Sequence, residues 1–161
     1  TVYLQCYKSY VLPILDFASP VWSPHSKKHI AKIEAVQSLF TRMLVRRCSN
    51  RLSVFSPYES RLTECNLITL FHRRILTDIL TAVKIIRKDI DVPASSFFIF
   101  RPTGGRTNHY GLVVRKSRKL MLRNSFSYRS VTYLLKVNSL IAKDLSIPTL
   151  KAHIPMALET L

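Results

Sequence analysis

Apolar residues recur at every third or fourth position along three long stretches of this chain, and this spacing constrains the fold more than any other feature. In residues 2–17 the repeating positions are Tyr3, Tyr7, Tyr10, Ile14 and Phe17. This spacing puts the five side chains on one face of a helix, which we expect to pack into a core. Because Pro13 has no backbone N–H, we expect a kink there, and we expect residues 20–24 to break the helix.

The same period predicts two further helices. Residues 28–45 repeat apolar side chains at Ile30, Ile33, Val36, Phe40 and Leu44, and residues 70–88 repeat them at Phe71, Ile75, Ile79, Val83 and Ile86. Cations near and within the first of these helices are left for solvent or for phosphate groups: Lys27, Lys28, Lys32, Arg42, Arg46 and Arg47.

A short helix is predicted between them, beginning at Ser56-Pro57-Tyr58-Glu59. Ser56 can cap the first turn, Pro57 suits the first helical position, and Glu59 can reach back to the capping amide. A turn is expected near Asn66, before the long helix over residues 70–88.

The composition changes after residue 91. Between residues 92 and 143 there are ten Lys and Arg residues and no Asp or Glu. Gly104 and Gly105 mark a loop, residues 111–115 look extended, and residues 126–129 alternate apolar with polar side chains as a half-buried strand does. We therefore predict a mainly α fold: a helical bundle in residues 1–91, then a basic region in residues 92–161 with a small antiparallel β-pair and short helices within residues 131–140 and 149–158.

The charge balance indicates an anionic partner. The 161 residues include 25 Lys and Arg against 9 Asp and Glu, a formal net charge of +16 at pH 7. Nucleic acid is the leading candidate for a surface with such a surplus. A membrane is disfavoured, because no run of 18 apolar residues is present to span a bilayer and no single amphipathic helix carries the whole surplus.

The N-terminus lacks the charged start and small-residue cleavage site of a signal peptide, so we expect an intracellular protein of the nucleus or cytoplasm. Cys6, Cys48 and Cys65 are widely spaced and odd in number, which disfavours disulfides and a zinc knuckle and predicts small buried side chains. Thr1 falls inside an expected helix, so we expect the chain to be a fragment of a longer reading frame.

Residue patterns for catalysis or metal binding are weak throughout. Asp89 and Asp91 have the spacing of a metal-binding pair but favour an ordinary solvated helix end. His25 and His29 have no third ligand nearby and favour a surface position. Gly104-Gly105-Arg106 is typical of a turn that presents an arginine rather than of a phosphate loop. We expect no catalytic residue, no metal and no cofactor in this chain.

Cations interleaved with aromatic residues are a different kind of signal, because Lys and Arg neutralise phosphates while exposed rings can stack on bases. Tyr110, Phe126 and Tyr128 are the rings concerned, and packing of Phe126 and Tyr128 inward as core is an equal alternative. The predicted nucleic-acid-binding residues are Lys27, Lys28, Arg42, Arg46, Arg47, Arg73, Arg74, Arg115, Lys116, Arg118, Lys119 and Arg129.

Several runs of this chain resemble one family. The stretch Tyr7-Lys8-Ser9, continuing through Pro13-Ile14-Leu15-Asp16-Phe17-Ala18-Ser19-Pro20-Val21-Trp22, resembles the segment after the catalytic palm in reverse transcriptases of non-LTR (LINE-type, Jockey and RTE-like) retrotransposons. Similar runs follow in the same order: Ile33-Glu34-Ala35-Val36-Gln37, Tyr58-Glu59-Ser60-Arg61-Leu62, His72-Arg73-Arg74-Ile75-Leu76 and Asn124-Ser125-Phe126-Ser127-Tyr128-Arg129. The resemblance covers nearly the whole chain.

The resemblance implies the thumb and post-thumb portion of an RNA-directed DNA polymerase. A helical thumb in residues 1–91 would grip the RNA or DNA of the template and primer by backbone contacts, and residues 92–161 would hold template RNA or target DNA. The palm and fingers, with the paired aspartates that bind Mg²⁺, would lie upstream in the same polypeptide. This portion alone is therefore expected to be inactive.

A second hypothesis is a stand-alone or decayed basic interaction module that binds a protein partner or binds nucleic acid non-specifically. The family reads Trp-Asn-Ser-Leu-Pro where this chain has Val137-Asn138-Ser139-Leu140-Ile141. An anchoring indole and a helix-ending proline are thus absent from this position, which puts the C-terminal packing of the family in doubt here.

Overall fold

The computed structural model describes residues 2–48, 56–101 and 111–137. Four features discussed above lie outside these residues: the Gly104-Gly105-Arg106 turn, Tyr110, the last residues of the helix expected over 131–140, and the helix expected over 149–158. The side chain of Cys48 is likewise outside the described part.

Within these residues the fold is mainly α, as predicted. The helices are α1 (Val2–Cys6), α2 (Leu12–Asp16), α3 (Ser19–Trp22), α4 (Lys27–Cys48), α5 (Tyr58–Cys65), α6 (Leu70–Ile86), α7 (Leu120–Arg123) and α8 (Phe126–Val137). A π-helical turn, Tyr7–Val11, joins α1 to α2, and a 3₁₀ turn spans Ala94–Ser96. Strands β1 (Ile99–Phe100) and β2 (Leu112–Val113) form an antiparallel two-stranded sheet.

Contacts between residues divide the chain into an N-terminal unit, residues 1–74, and a C-terminal unit, residues 75–161. The boundary falls inside α6, whereas the change in composition suggested a boundary at residue 91. The two divisions describe different properties, packing in one case and charge in the other. A division of roles between residues 1–91 and 92–161 stays a prediction.

The first helical segment buries a different face from the predicted one. Tyr7 and Leu12 are its buried side chains, and they lie five residues apart rather than three or four. A π-helical turn bonds each residue to the fifth one along the chain, so it brings positions i and i+5 to one face. The turn lies directly before Pro13, where the sequence predicted a kink.

The side chains expected in the core of this segment are instead largely exposed, with the exception of Tyr7. Ile14 is 75% exposed and Phe17 is 78% exposed. The prediction was wrong for these four residues: Tyr3, Tyr10, Ile14 and Phe17. For Tyr10, Ile14 and Phe17 the π-helical turn is the physical reason, because a stripe drawn with a period of 3.6 residues drifts away from the core beyond Tyr7. Tyr3 lies before this turn, where its ring is 47% exposed and lies under the Arg47 guanidinium.

In α4 the predicted apolar face is only partly correct. Leu44 is buried, but Val36 is 41% exposed and the prediction was wrong there. Gln37 and Thr41 are fully buried in the same helix. The Tyr7 ring stacks on Phe40 with ring centres 4.0 Å apart, which joins the first helical segment to α4.

The short helix α5 begins and ends close to its predicted limits. Pro57 occupies the N-cap position and no side chain caps the helix, so the expected capping by Ser56 and the expected place of Pro57 at the first helical position were wrong. Asn66 takes the left-handed conformation at the C-terminus, and the Leu67 N–H donates to the carbonyl of Leu62 at 2.9 Å. This bond closes the helix in the manner of a Schellman motif, so the expected turn is confirmed.

The long helix α6 follows its predicted period. Ile75, Ile79 and Val83 are buried in the core of the C-terminal unit, but Phe71 is 38% exposed and the prediction was wrong there. The Thr69 hydroxyl accepts from the His72 amide at 3.1 Å and caps the first turn.

The predicted β-pair exists with a different partner strand. Residues 112–113 are extended as expected and pair with β1, but Phe126–Arg129 opens α8, so the strand predicted there was wrong. Residues 126–129 alone fit either the helical or the strand period. The following residues show the helix, because Val131 and Leu134 are buried with helical spacing. Gly111, at a positive φ of 64°, leads into β2, and its carbonyl accepts from the Arg101 amide at 2.8 Å.

Cysteine burial differs between positions. Cys65 is buried, as predicted, but Cys6 is exposed, so the prediction was wrong there. None of the helices in the described ranges is both long and apolar enough to cross a membrane.

Candidate nucleic-acid interface

The predicted cations of α4 form two separate groups. Lys27 and Lys28 are exposed in its first turn, and Arg42, Arg46 and Arg47 are exposed near its C-terminus. With a rise of about 1.5 Å per residue, Lys28 and Arg42 lie about 21 Å apart along the helix axis. The two groups cannot contact the same phosphate.

The three arginines near the end of α4 line a shallow groove of about 370 Å³ together with Leu39 and Met43. The Arg47 guanidinium also lies over the ring of Tyr3, 5.7 Å from its centre. No carboxylate is among the described residues that line the groove. The groove therefore combines three positive charges with exposed apolar surface, a combination suited to a phosphate backbone.

A second basic surface lies between β2 and α7. Arg115, Lys116, Arg118 and Lys119 are all exposed, so four of five consecutive side chains present a positive charge. The Ser117 hydroxyl accepts from the Lys119 amide at 3.1 Å, which holds the turn that displays them. We call residues 115–119 the basic segment.

Three of the predicted arginines have structural contacts. Arg73 forms a two-pronged ion pair with Asp16, and Arg129 forms one with Asp78 in which the Nε to Oδ2 distance is 3.1 Å. Arg74 is buried. Their prediction as nucleic-acid ligands is untested, but Arg73 and Arg129 hold a carboxylate and Arg74 has its side chain inside the fold.

These contacts engage acidic as well as basic side chains, and each ion pair removes one charge of either sign from the free surface. Asp16 and Asp78 are held in ion pairs, and Glu34 accepts hydrogen bonds from the Tyr58 hydroxyl and from the amides of Leu70 and Phe71. Three of the nine acidic residues are thus engaged with groups of the fold. The predicted cations of α4 and of the basic segment are exposed to solvent.

The two rings in the described part have different surroundings. Phe126 packs against Phe97 and Phe98, with ring centres 6.2 Å apart in both pairs, and adjoins the core. Tyr128 is half-buried and lines a cavity of the C-terminal unit. Packing as core therefore describes Phe126, whereas Tyr128 stays available to a ligand.

A polar network in the N-terminal unit is the other concentration of functional groups. The Tyr7 hydroxyl donates to Gln37 at 3.0 Å, and the Gln37 amide donates to the Tyr58 oxygen at 3.1 Å and to the Ile68 carbonyl at 2.9 Å. Tyr58 donates to Glu34 at 2.6 Å. Burial, and then the bond to Glu34, raises the pKa of Tyr58 well above its usual value.

This network links the first helical segment to α4, α5 and the start of α6, and it satisfies the polar groups buried between them. A tyrosine with a raised pKa keeps its proton at neutral pH, so neither hydroxyl is a ready base or nucleophile. The arrangement is a structural one, and it explains why Gln37 is buried in the middle of a helix.

Alkaline pH is expected to destabilise the protein through this network. Burial raises the pKa of Tyr7 to about 12, whereas an unfolded chain releases the same proton near pH 10. The stabilisation is complete below pH 10 and is lost as the pH rises towards 12, at up to about 1.4 kcal/mol per pH unit. Urea unfolding followed by Trp22 fluorescence measures this slope.

The matched variants are Tyr7→Phe, which removes the buried hydroxyl, and Tyr10→Phe, which removes a hydroxyl from a side chain that is 72% exposed. We expect Tyr7→Phe to reduce the decline in stability between pH 10 and 12 and to leave the part due to Tyr58, whose pKa is also raised, whereas Tyr10→Phe should leave the whole decline unchanged. Equal slopes in the two variants would contradict the assignment.

Metal chemistry finds little support in the described ranges. They contain no group of three or more His, Cys, Asp or Glu side chains placed to hold an ion. His25 and His29 are both exposed, as predicted.

Comparisons with known proteins give one match. No protein-family model matches the chain, and no solved structure matches it. An uncharacterized protein of Caenorhabditis elegans, B0403.1, is 30% identical over 95 residues, which are 58% of this chain and 46% of that protein. The chain spans less than half of that protein's length, and the name of that protein states no activity.

Sequence reasoning missed the cavity beside the basic segment, because residues 126–129 were assigned to a strand. Ser125, Ser127 and Tyr128 line it from the start of α8. The available signal was the run Ser125-Phe126-Ser127-Tyr128 itself, in which three hydroxyls lie within four residues.

Proposed function

We propose that this chain is the thumb and post-thumb portion of a non-LTR retrotransposon reverse transcriptase and that it holds template and primer nucleic acid by contacts to the phosphate backbone. The observation that carries the binding proposal is the basic segment, where four exposed cations occupy five consecutive positions. The family assignment is supported by the resemblance of the runs that begin at Tyr7, Ile33, Tyr58, His72 and Asn124.

The binding surface consists of the exposed cations in two places. On α4 they are Lys27, Lys28, Arg42, Arg46 and Arg47, and in the basic segment they are Arg115, Lys116, Arg118 and Lys119. Cations of this kind release counterions from nucleic acid and bind without regard to sequence. Arg73, Arg74 and Arg129 are left out, because the first and third are paired with carboxylates and the second is buried.

In this proposal the chain positions nucleic acid and does not catalyse. Polymerisation by two metal ions needs carboxylates that hold both cations over the reacting oxygens. The resemblance puts those aspartates and their Mg²⁺ in an upstream palm of the same polypeptide. The 161-residue chain alone is expected to bind nucleic acid without extending a primer.

Salt titration tests the proposal. If six phosphates are neutralised, the logarithm of the association constant falls linearly with the logarithm of the salt concentration. The slope is about −5 for duplex DNA and about −4 for a single strand. Fluorescence anisotropy with labelled oligonucleotides between 50 mM and 400 mM NaCl measures both slopes. A slope near zero, or no binding at 50 mM salt, rules the proposal out.

Exposed apolar side chains at the end of the first helical segment and in α3 favour the second hypothesis, a basic module that binds a protein partner. Tyr10, Ile14, Phe17 and Val21 are each more than 70% exposed, which is unusual for side chains so close in sequence. Binding through these apolar side chains would depend weakly on salt concentration. A Phe17→Ser/Val21→Ser variant separates the hypotheses. It would weaken binding to a protein partner through the apolar side chains, whereas it leaves the salt slope for nucleic acid unchanged.

A further inference from the structure

A cavity in the C-terminal unit lies directly beside the basic segment. Its volume is about 270 Å³, a little below the roughly 300 to 1,000 Å³ typical of small-molecule sites. Arg115 and Ser117 of the basic segment form one side, and Ser125, Ser127 and Tyr128 from the start of α8 form another. The cavity is large enough for one planar ring system and too small for a base pair.

The lining has three chemical parts. Apolar side chains form much of the lining: Phe98 and Val131 belong to the core, and Val113 is half-buried. Phe97 also faces the cavity and is 41% exposed, so an aromatic surface is open to an incoming ring. Among the described residues of the lining, Arg115 is the one with a charged side chain.

Hydroxyl groups supply the rest of the polar surface. Ser125 donates to the Leu122 carbonyl at 2.7 Å, and Ser117 bonds to Lys119, so these two are already engaged. Ser96, Ser127 and Tyr128 have no side-chain hydrogen bond within the described residues. Three hydroxyls that can each donate or accept are therefore available to a bound molecule.

We infer that this cavity binds one unstacked base of a single-stranded nucleic acid, with the adjoining phosphate on Arg115. The chemistry matches in each part: a nucleotide has a planar ring for Phe97 and Tyr128, edge groups for the three hydroxyls, and a single negative charge for the arginine. In a ligand with several negative charges, all but one of them would lack a positively charged partner in the cavity. The inference rests on the proposed nucleic-acid function and adds a preference for single strands.

A duplex does not offer a base in this way. Its bases must first be unpaired and turned out of the stack, which opposes binding by a few kcal/mol. The basic segment binds the phosphates of either form, but the cavity contributes to affinity only when a free base is present.

The decisive ligands are a labelled single-stranded oligonucleotide and its abasic counterpart, which has the same phosphates and no bases. With the full 161-residue chain, we expect the intact strand to bind about 5- to 150-fold more tightly, the range for one base stacked on an aromatic side chain. Equal affinity for the two strands, with normal salt dependence, overturns the cavity inference and leaves the proposed function intact. Failure of both strands to bind at 50 mM salt overturns both.

Three variants locate the effect. Phe97 lines the cavity and Phe100 does not, although their side chains have nearly equal exposures of 41% and 40%. Phe97→Ala and Phe100→Ala are therefore matched variants. Ser96→Trp fills the cavity from an exposed position and keeps the core unchanged. We expect Phe97→Ala and Ser96→Trp to remove the advantage of the intact strand, and Phe100→Ala to keep it. The advantage surviving in Ser96→Trp, with circular dichroism unchanged, overturns the inference.

Competition identifies the source of the nucleotide. A nucleoside monophosphate has the same ring and one phosphate group but lacks the neighbouring phosphates that the basic segment binds. Weak displacement of the labelled strand, requiring millimolar monophosphate, supports a base within a strand. Displacement at micromolar concentration overturns the strand as the ligand and makes the free nucleotide the occupant.

Discussion

Replacing Arg129 by Met is expected to lower the free energy of unfolding by about 3 kcal/mol, at the lower end of the range for breaking a buried ion pair. Asp78 is 1% exposed, and its partner Arg129 has 14% of its side chain accessible. Without the guanidinium, the carboxylate of Asp78 loses the positive charge that Arg129 places beside it. The remaining contacts of Asp78 are the reason for expecting the lower end.

Urea unfolding followed by circular dichroism measures the loss, and amide hydrogen exchange in α6 and α8 localises it. The matched control is Arg73→Met, which breaks the ion pair with Asp16, where 32% of the arginine and 23% of the aspartate side chain are exposed. That change is expected to cost at most about 1 kcal/mol, as for other solvent-screened pairs. The double variant Asp78→Leu/Arg129→Met should recover most of the stability, because neither member of this ion pair is then left buried without the other.

Equal losses in Arg129→Met and Arg73→Met would contradict this assignment. A loss of nucleic-acid affinity in Arg129→Met without a loss of stability would return Arg129 to the binding surface. The two variants thus test whether Arg129, which the sequence places among the phosphate ligands, acts within the fold instead.

The positions of the helices follow from local sequence, and this is why they could be predicted. Ile75, Ile79 and Val83 recur with the helical period over several turns, which determines both the helix and its buried face. The start of α8 could not be predicted from Phe126–Arg129 alone, since alternation over four residues fits a strand equally well.

The buried polar groups depend on partners far away in the sequence. Gln37 bonds to Tyr7, 30 residues earlier, and to Ile68, 31 residues later. The signal was present in the spacing of Glu34, Gln37 and Thr41, which repeats every three or four positions on one face of α4. A polar stripe alone does not distinguish a buried network from a solvated face, so the contacts were needed to decide.

The cations of the candidate interface also differ in how far local sequence predicts their surroundings. Exposure of the cations on α4 and in the basic segment could be predicted, because local runs of charge rarely enter a core. The pairing of Arg129 with Asp78 spans 51 residues and that of Arg73 with Asp16 spans 57. Neither pair has a local signature, so charge counting overestimated the number of available arginines.

Replacing Lys116, Arg118 and Lys119 together by Ala is expected to weaken nucleic-acid binding about 100-fold at 0.15 M salt. Each phosphate contact contributes about 0.9 to the log–log slope for duplex DNA, so losing three makes the slope less negative by about 2.7. The loss should shrink towards zero as the salt concentration approaches 1 M. Arg115 is kept in this variant because it also lines the cavity.

The charge-matched control is Lys8→Ala/Lys32→Ala/Lys136→Ala, which removes three exposed cations from outside the proposed surface. If net charge alone attracts nucleic acid, both triple variants lose the same affinity and the same slope. If the basic segment binds phosphates directly, its variant loses far more, and by the same factor for every sequence, because phosphate contacts position the strand without reading it. Equal losses would mean that the surplus of positive charge acts at a distance and that residues 115–119 are not a binding site.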